Sequence, residues 1–141
     1  MYKSSLTILE NRTVLTISGD DAKNFLQGLV TNDVDKVSEE NTIYTALLTP
    51  QGKYLHDFFI LKIGDKYYLD CEESRIEDLI RRLRMFKLRT NVIIELANEM
   101  CVIAIYGDRA IEGLSLSNIL GYSKPHVNGI VYTDPRLETI G

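Results

Sequence analysis

Residues 49–60 read TPQGKYLHDFFI, a turn signal leading into an apolar run with one carboxylate, Asp57, inside it. Side chains alternate along a strand, so Asp57 shares a face with Leu55, Phe59, Leu61 and Ile63. The run is followed by Gly64-Asp65, a pair suited to a two-residue hairpin loop because Gly tolerates the positive φ such loops need. That loop pairs Ile63 with Lys66, Leu61 with Tyr68 and Phe59 with Asp70. Tyr68 and Asp70 then fall on the face of Asp57, so two carboxylates and a phenol share one otherwise apolar wall.

On the other side of the run, Pro50 cannot adopt the positive φ of the usual two-residue hairpin turns. A type I turn with Gly52 as a bulge sets Thr45 opposite Asp57; without the bulge Tyr44 takes that place, and a slip of one residue changes the face. A carboxylate leaving water needs hydrogen bonds or a cation. On the face of Asp57 the first cation along these strands is Lys66, near the turn. Two readings follow. Asp57 is a structural residue bonded to backbone N–H groups or a Tyr hydroxyl, or it is a pocket carboxylate that accepts N–H bonds from a ligand or takes its proton. A flat heteroaromatic ligand carrying donors suits such a wall.

Around this hairpin the pattern is mixed. RTVLTIS (12–18) reads as a strand. Ala22, Phe25, Leu26, Leu29 and Val30 then follow one helical face, with Asp20 or Asp21 as cap. IYTALLT (43–49), YLHDFFILKI (54–63) and KYYLDC (66–71) are three successive strands. Ser74 and Glu77 fit a capping box before a stripe of Ile76, Leu79, Ile80, Leu83 and Phe86. NVIIEL (91–96), MCVIAIY (100–106) and GIVYT (129–133) complete the strands, the second apolar enough to be covered on both faces. A short helix is expected around 108–114, and a loop through Gly121 and Pro125. Strands in runs favour an α+β class with a mainly antiparallel sheet and two or three packed helices.

A chain of 141 residues with 45% hydrophobic and 26% charged residues fits one globular domain. A formal net charge of −4 argues against general, direct nucleic-acid binding. There is no apolar run of membrane-spanning length and no secretory signal in MYKSSLTILENR, so a cytoplasmic setting is expected. Cys71 and Cys101 lie in no metal-ligand spacing and read as buried small hydrophobes, and His56 and His126 are isolated, so no metal site is expected.

NFLQGLVTNDV (24–34) followed by YTALLTPQGKYLHDFFI (44–60), with RMFKLRTNVIIEL (84–96) and DPRLETIG (134–141), resembles the YgfZ branch of the glycine-cleavage aminomethyltransferase (GcvT) superfamily. The resemblance runs from about Thr13 to the last residue. It implies a folate-binding fold that holds tetrahydrofolate. It also implies that Asp57 matches the catalytic carboxylate of the aminomethyltransferases, near the folate nitrogen that accepts the methylene group. His56 stands where those enzymes have another acid. Tyr68, Asp70 and Tyr44 match positions lining the folate pocket. The branch is implicated in assembly or repair of iron–sulfur enzymes and in tRNA modification, so folate and iron–sulfur proteins or their assembly machinery are the implied partners. Its Lys-Gly-Cys signature is absent from these 141 residues. The expectation is therefore the N-terminal part of a folate-binding domain, incomplete at its C-terminal end: a truncated product, split-gene piece or cloned fragment. Exposed edges of such a piece favour a homodimer.

Three functions are in play: a folate-binding accessory protein, a folate-dependent one-carbon enzyme using Asp57, and a remnant that binds nothing. Elsewhere, RRLRMFKLR (81–89) carries five basic residues. Glu77 and Asp78 stand four positions before Arg81 and Arg82, which reads as a solvated helix face. Lys87 and Arg89 have no such partner and are the candidates for an anion contact. GDRA (107–110) reads as a strand-to-helix turn.

Overall fold

The computed structural model describes residues 4–107 and 109–136. Its centre is a five-stranded antiparallel sheet in the order β3-β4-β5-β2-β6, built from β2 (Arg12–Ser18), β3 (Ile43–Leu48), β4 (Tyr54–Ile63), β5 (Lys66–Glu72) and β6 (Ile93–Leu96). The helices α1 (Ala22–Gln27) and α2 (Ile76–Lys87) lie on one side of it. Two small ribbons stand apart: β1 (Ser4–Ile8) with β7 (Ile103–Gly107), and β8 (Ser123–His126) with β9 (Gly129–Tyr132). A short α3 (Ala110–Gly113) follows β7. The class is α+β, as the runs of strands imply.

The β4–β5 hairpin has the expected register: Ile63 opposite Lys66, Leu61 opposite Tyr68, Phe59 opposite Asp70. The β3–β4 hairpin closes with the anticipated turn, Gly52 at φ +84° and Thr49 N donating to Lys53 O at 2.7 Å, but at Asp57 it has neither register anticipated. Ala46 lies opposite Asp57, Thr45 opposite Phe58 and Tyr44 opposite Phe59. Leu48 lies opposite Tyr54, as that turn dictates, and the ladder then shifts between Leu47 and Leu48, leaving Leu55 as an extra residue on β4. Alternation still brings Tyr44 onto the face of Asp57 and turns Thr45 away.

Because β4 sits inside the sheet, its alternate residues serve two layers. His56, Phe58 and Ile60 face the helices, where Leu15, Ile17, Leu69, Phe25, Leu26, Leu79 and Leu83 complete a continuous apolar core. Each large apolar side chain buried there contributes about 1.5–3 kcal/mol.

Several local expectations change. Asp21 does not cap α1; its carboxylate accepts from the Asn91 backbone N–H at 2.7 Å, tying the helix start to the approach to β6. Gly19 beside it has φ +105°, and a Cβ there would stand 2.3 Å from Asn91 O, so only glycine fits. The Ser74–Glu77 capping box does not form either. A 3₁₀ turn (Glu73–Arg75) precedes α2, and Ser74 Oγ donates to Glu72 instead. The α2 stripe is buried at Leu79 and Leu83, but Phe86 is exposed. Among the described residues β7 pairs with β1 alone, a strand the sequence reading lacked, and Ile103 and Tyr106 are exposed rather than covered on both faces. The expected loop through Pro125 is strand β8, and the helix after β7 is shorter than expected. Asp108 and residues 137–141 of DPRLETIG lie outside the described residues. Cys71 is buried as expected; Cys101 is exposed, contrary to expectation.

The β8–β9 ribbon is attached through polar groups. Thr42 N donates to Gly121 O at 2.7 Å, Ser123 N to Glu40 O at 2.9 Å, and Thr133 Oγ1 to Ser117 O at 2.6 Å. Ser123 Oγ donates to Gly121 O at 2.9 Å and stands 2.6 Å from Thr42 Oγ1. One hydroxyl carries one proton, so Thr42 is the donor of that buried pair.

His56 Nε2 meets Asp78 Oδ2 at 2.8 Å in an almost fully buried position. Burial lowers its pKa below the ordinary 6.5, Asp78 pulls the other way, and Arg75 and Arg82 add to the lowering. As pH falls, the unfolded chain therefore takes up the proton first. The His56 contribution to stability should be complete above pH 6.5 and be lost as pH drops below it toward the lowered folded value. Urea unfolding across this range should show that decline, and His56→Gln should flatten it.

Candidate functional site

The face of the sheet opposite the helices presents Arg12, Val14 and Thr16 from β2, Tyr44 and Ala46 from β3, Asp57, Phe59 and Leu61 from β4, and Tyr68 and Asp70 from β5. Their sharing of one face follows from the paired registers. Phe59 is the centre of this wall. The Tyr44 ring lies 5.2 Å from it and the Tyr132 ring 5.7 Å, both tilted. These are distances at which aromatic pairs attract.

One carboxylate stands on each side of Phe59. Asp57 is half-buried and accepts hydrogen bonds from the Tyr44 hydroxyl and, at 2.8 Å, from the Tyr54 hydroxyl. No backbone amide binds it among the described residues. A carboxylate has room for about four donors, so two tyrosines leave capacity for a further N–H.

Asp70 is 5% exposed and differently supplied. Arg12 Nε donates to Asp70 Oδ1 at 2.8 Å, Arg12 Nη2 to its backbone carbonyl at 2.8 Å, and the Tyr132 hydroxyl to Oδ2 at 3.0 Å. Burial raises the Asp70 pKa, and Arg12 and Tyr132 act against that rise. Burial, with the Asp70 charge beside it, holds the Tyr132 hydroxyl protonated well above its ordinary range. Tyr132 is thus a fixed donor.

The structure brings Tyr44 and Asp57 into direct contact and sets Asp70 across Phe59 from them. Tyr68 shares the face but is not bonded to either acid; it lies half-buried opposite Leu61. His56 points to the opposite layer, toward α2. The identity of residue 56 therefore bears on packing against α2 and not on the chemistry of the wall.

Four contributors escaped the sequence reading: Arg12, Tyr54, Tyr132 and Arg136. Arg12 is the cation that the wall lacked, brought in by β2 pairing with β5. Arg136 comes from the DPR stretch and is held by Asp134, Nη2 to Oδ2 at 2.5 Å. Its guanidinium lies over the wall, 5.0 Å from the Phe59 ring centre and 5.8 Å from that of Tyr44. Beside it a groove of about 410 Å³ opens, lined by Asn32, Asn41, Thr42, Tyr44, Leu120 and Pro135.

Removing Arg12 would strand a buried carboxylate, and breaking a buried pair from one side costs about 3–5 kcal/mol. Arg12→Leu should therefore lose about 3 kcal/mol in urea unfolding, and adding Asp70→Leu together with Tyr132→Phe, so that no buried donor is stranded, should recover most of the loss.

Comparison with known proteins gives the same frame. The pattern of the GCVT N-terminal domain matches residues 7–119. The chain is 32% identical over 100 residues to the mitochondrial "Iron-sulfur cluster assembly factor IBA57 homolog" of Pyricularia oryzae, covering 68% of this chain and 25% of that protein. It is 28% identical over 105 residues to an aminomethyltransferase of Chromobacterium violaceum, covering 74% and 29%. It is 29% identical over 96 residues to the tRNA-modifying protein YgfZ of Colwellia psychrerythraea, covering 68% and 30%. The chain thus spans between a quarter and three-tenths of the length of these relatives. The fold matches the glycine cleavage system aminomethyltransferase T of Bartonella henselae with a TM-score of 0.74 at 14% identity, over 89% of this chain and 36% of that one. With its family pattern covering most of its length, this chain belongs to the GCVT N-terminal domain family.

Proposed function

We propose that the Phe59 wall binds the flat, N–H-bearing pterin ring of tetrahydrofolate, and that the protein is a cytoplasmic folate-binding accessory factor in iron–sulfur cluster assembly or repair, with an effect on tRNA modification. The observation that carries the binding reading is Arg136. A planar group rich in N–H donors already rests on the Phe59 and Tyr44 rings, and the Asp57 charge bears on it. The amino-pyrimidine edge of a pterin has the same flatness and the same donors. It would find the same aromatic floor and the unused acceptor capacity of Asp57. The groove beside Tyr44 offers room for the rest of such a ligand.

Asp57 and Tyr44 are the proposed contact residues, with Tyr68 further along the same face. Asp70, engaged by Arg12 and Tyr132, acts in this reading by fixing Tyr132 against Phe59. The iron–sulfur and tRNA parts rest on the names of the relatives, one an iron–sulfur cluster assembly factor and one a tRNA-modifying protein.

An aminomethyltransferase-like enzyme is the second reading. It is favoured by the half-exposed placement of Asp57, open to a substrate amine, and by the aminomethyltransferase among the relatives. Asp57→Asn separates the two. An enzyme loses its rate far more than its affinity; a binder shows an affinity change alone.

Titration calorimetry with tetrahydrofolate should give binding to this chain weaker than about 10 μM. Asp57→Asn should weaken it roughly tenfold more, the size of one charge-assisted hydrogen bond. Arg136→Ala, which clears the aromatic floor, should strengthen it several-fold. A melting temperature indifferent to folate in both the parent and Arg136→Ala would reduce the wall to a structural feature.

A further inference from the structure

The two edges of the central sheet are treated differently. At β3 the outward backbone groups are taken up. Asn32 Nδ2 donates to Tyr44 O at 3.0 Å, Thr31 N donates to Ala46 O at 3.0 Å, and Ala46 N donates to Thr31 Oγ1 at 3.1 Å. Among the described residues nothing comparable covers β6. Ala97 N donates to Val14 O at 2.9 Å, and Glu95 lies opposite Thr16. By antiparallel alternation, residues 93, 95 and 97 turn their backbone toward β2, and Ile94 and Leu96 turn theirs outward. Among the described residues, those outward N–H and C=O groups have no partner.

The open edge is flanked by α2. Between them lies a groove of about 620 Å³, lined by Ile80, Arg81, Arg84, Met85, Ile94 and Leu96 with Glu77 at its rim. Met85 is 59% and Leu96 41% exposed. Arg81 is paired with Asp78, but Arg84 makes no ion pair among the described residues. Lys87 and Arg89 continue the same cationic stretch, and among the described residues they too make no ion pair. An apolar floor, a cationic wall and an unpaired strand edge thus coincide, in a chain whose net charge is −4.

We propose that this groove is a docking site for an extended, apolar segment with acidic flanks, supplied by a partner protein and added as a sixth strand beside β6. The open backbone of Ile94 and Leu96 selects an extended chain, as strand addition does generally. Met85, Ile80 and Leu96 select apolar side chains at its centre. Arg84, with Arg81, Lys87 and Arg89, selects carboxylates around them. A second copy of this chain fits poorly, because pairing β6 with β6 would bring two cationic α2 flanks together. A bilayer surface fits poorly because the apolar floor is recessed between a helix and a strand. Nucleic acid would not use the apolar floor. The site lies at the opposite layer and edge from the Phe59 wall, so it does not depend on folate binding.

The test is a titration of the isotope-labelled protein with the synthetic peptide acetyl-EEVIVEE-amide, followed by NMR. Saturable shifts and slowed hydrogen exchange at the Ile94 and Leu96 amides are expected. Acetyl-KKVIVKK-amide, and an acidic peptide N-methylated along one backbone edge, should bind at least about fivefold more weakly. Arg84→Glu, an exposed change expected to leave the melting temperature unaltered, should reverse the preference between the acidic and basic peptides. The proposal is overturned by equal binding of the two peptides, or by no response at these amides. It is also overturned if they are protected in a concentration-dependent way without peptide, or if they respond to vesicles of anionic lipid but not to the peptide.

Discussion

Strand β4 belongs to two layers at once, and the molecule depends on that. Phe58 and Ile60 anchor the core under the helices, and Asp57 and Phe59 form the middle of the opposite wall. The pleat allows no exchange between these sets without a register slip, and a slip would drive Asp57 into the apolar core. The desolvation cost of that error protects the register. The buried core on one face thus fixes the geometry of the polar cluster on the other.

The wall itself follows a simple electrostatic logic. A carboxylate near an apolar surface is tolerated when donors or a cation meet it. Asp70 is met by both and is fully committed. Asp57 is met by two phenols and stays half-open. The same residue type therefore has two fates on one face, decided by whether β2 delivers a guanidinium beside it. The open one is the one able to receive something from outside.

How much of this could be read from the chain varies with distance in sequence. The β4–β5 hairpin is local: Gly64-Asp65 sets its register, so the alignment of Asp57, Tyr68 and Asp70 was legible. The β3–β4 register was not, because the irregularity lies between Leu47 and Leu48, inside an apolar strand with no glycine to mark it. Arg12, Tyr132 and Arg136 come from 45 to 79 residues away from Asp57, and no local periodicity encodes such meetings. The missing helix caps have a similar origin: Asp21 was claimed by Asn91, a tertiary partner. Motif resemblance pointed to Tyr44 where hairpin reasoning alone left two registers open.

The β8–β9 ribbon is tied to the rest of the chain through hydroxyls and peptide groups, and it sets the Tyr132 ring against Phe59. Apolar association loses strength on cooling, whereas such hydrogen bonds do not share that dependence. The two halves of the molecule therefore answer temperature differently. Cooling takes more driving force from the helix-backed core than from the hydrogen bonds of the clasp that positions Tyr132.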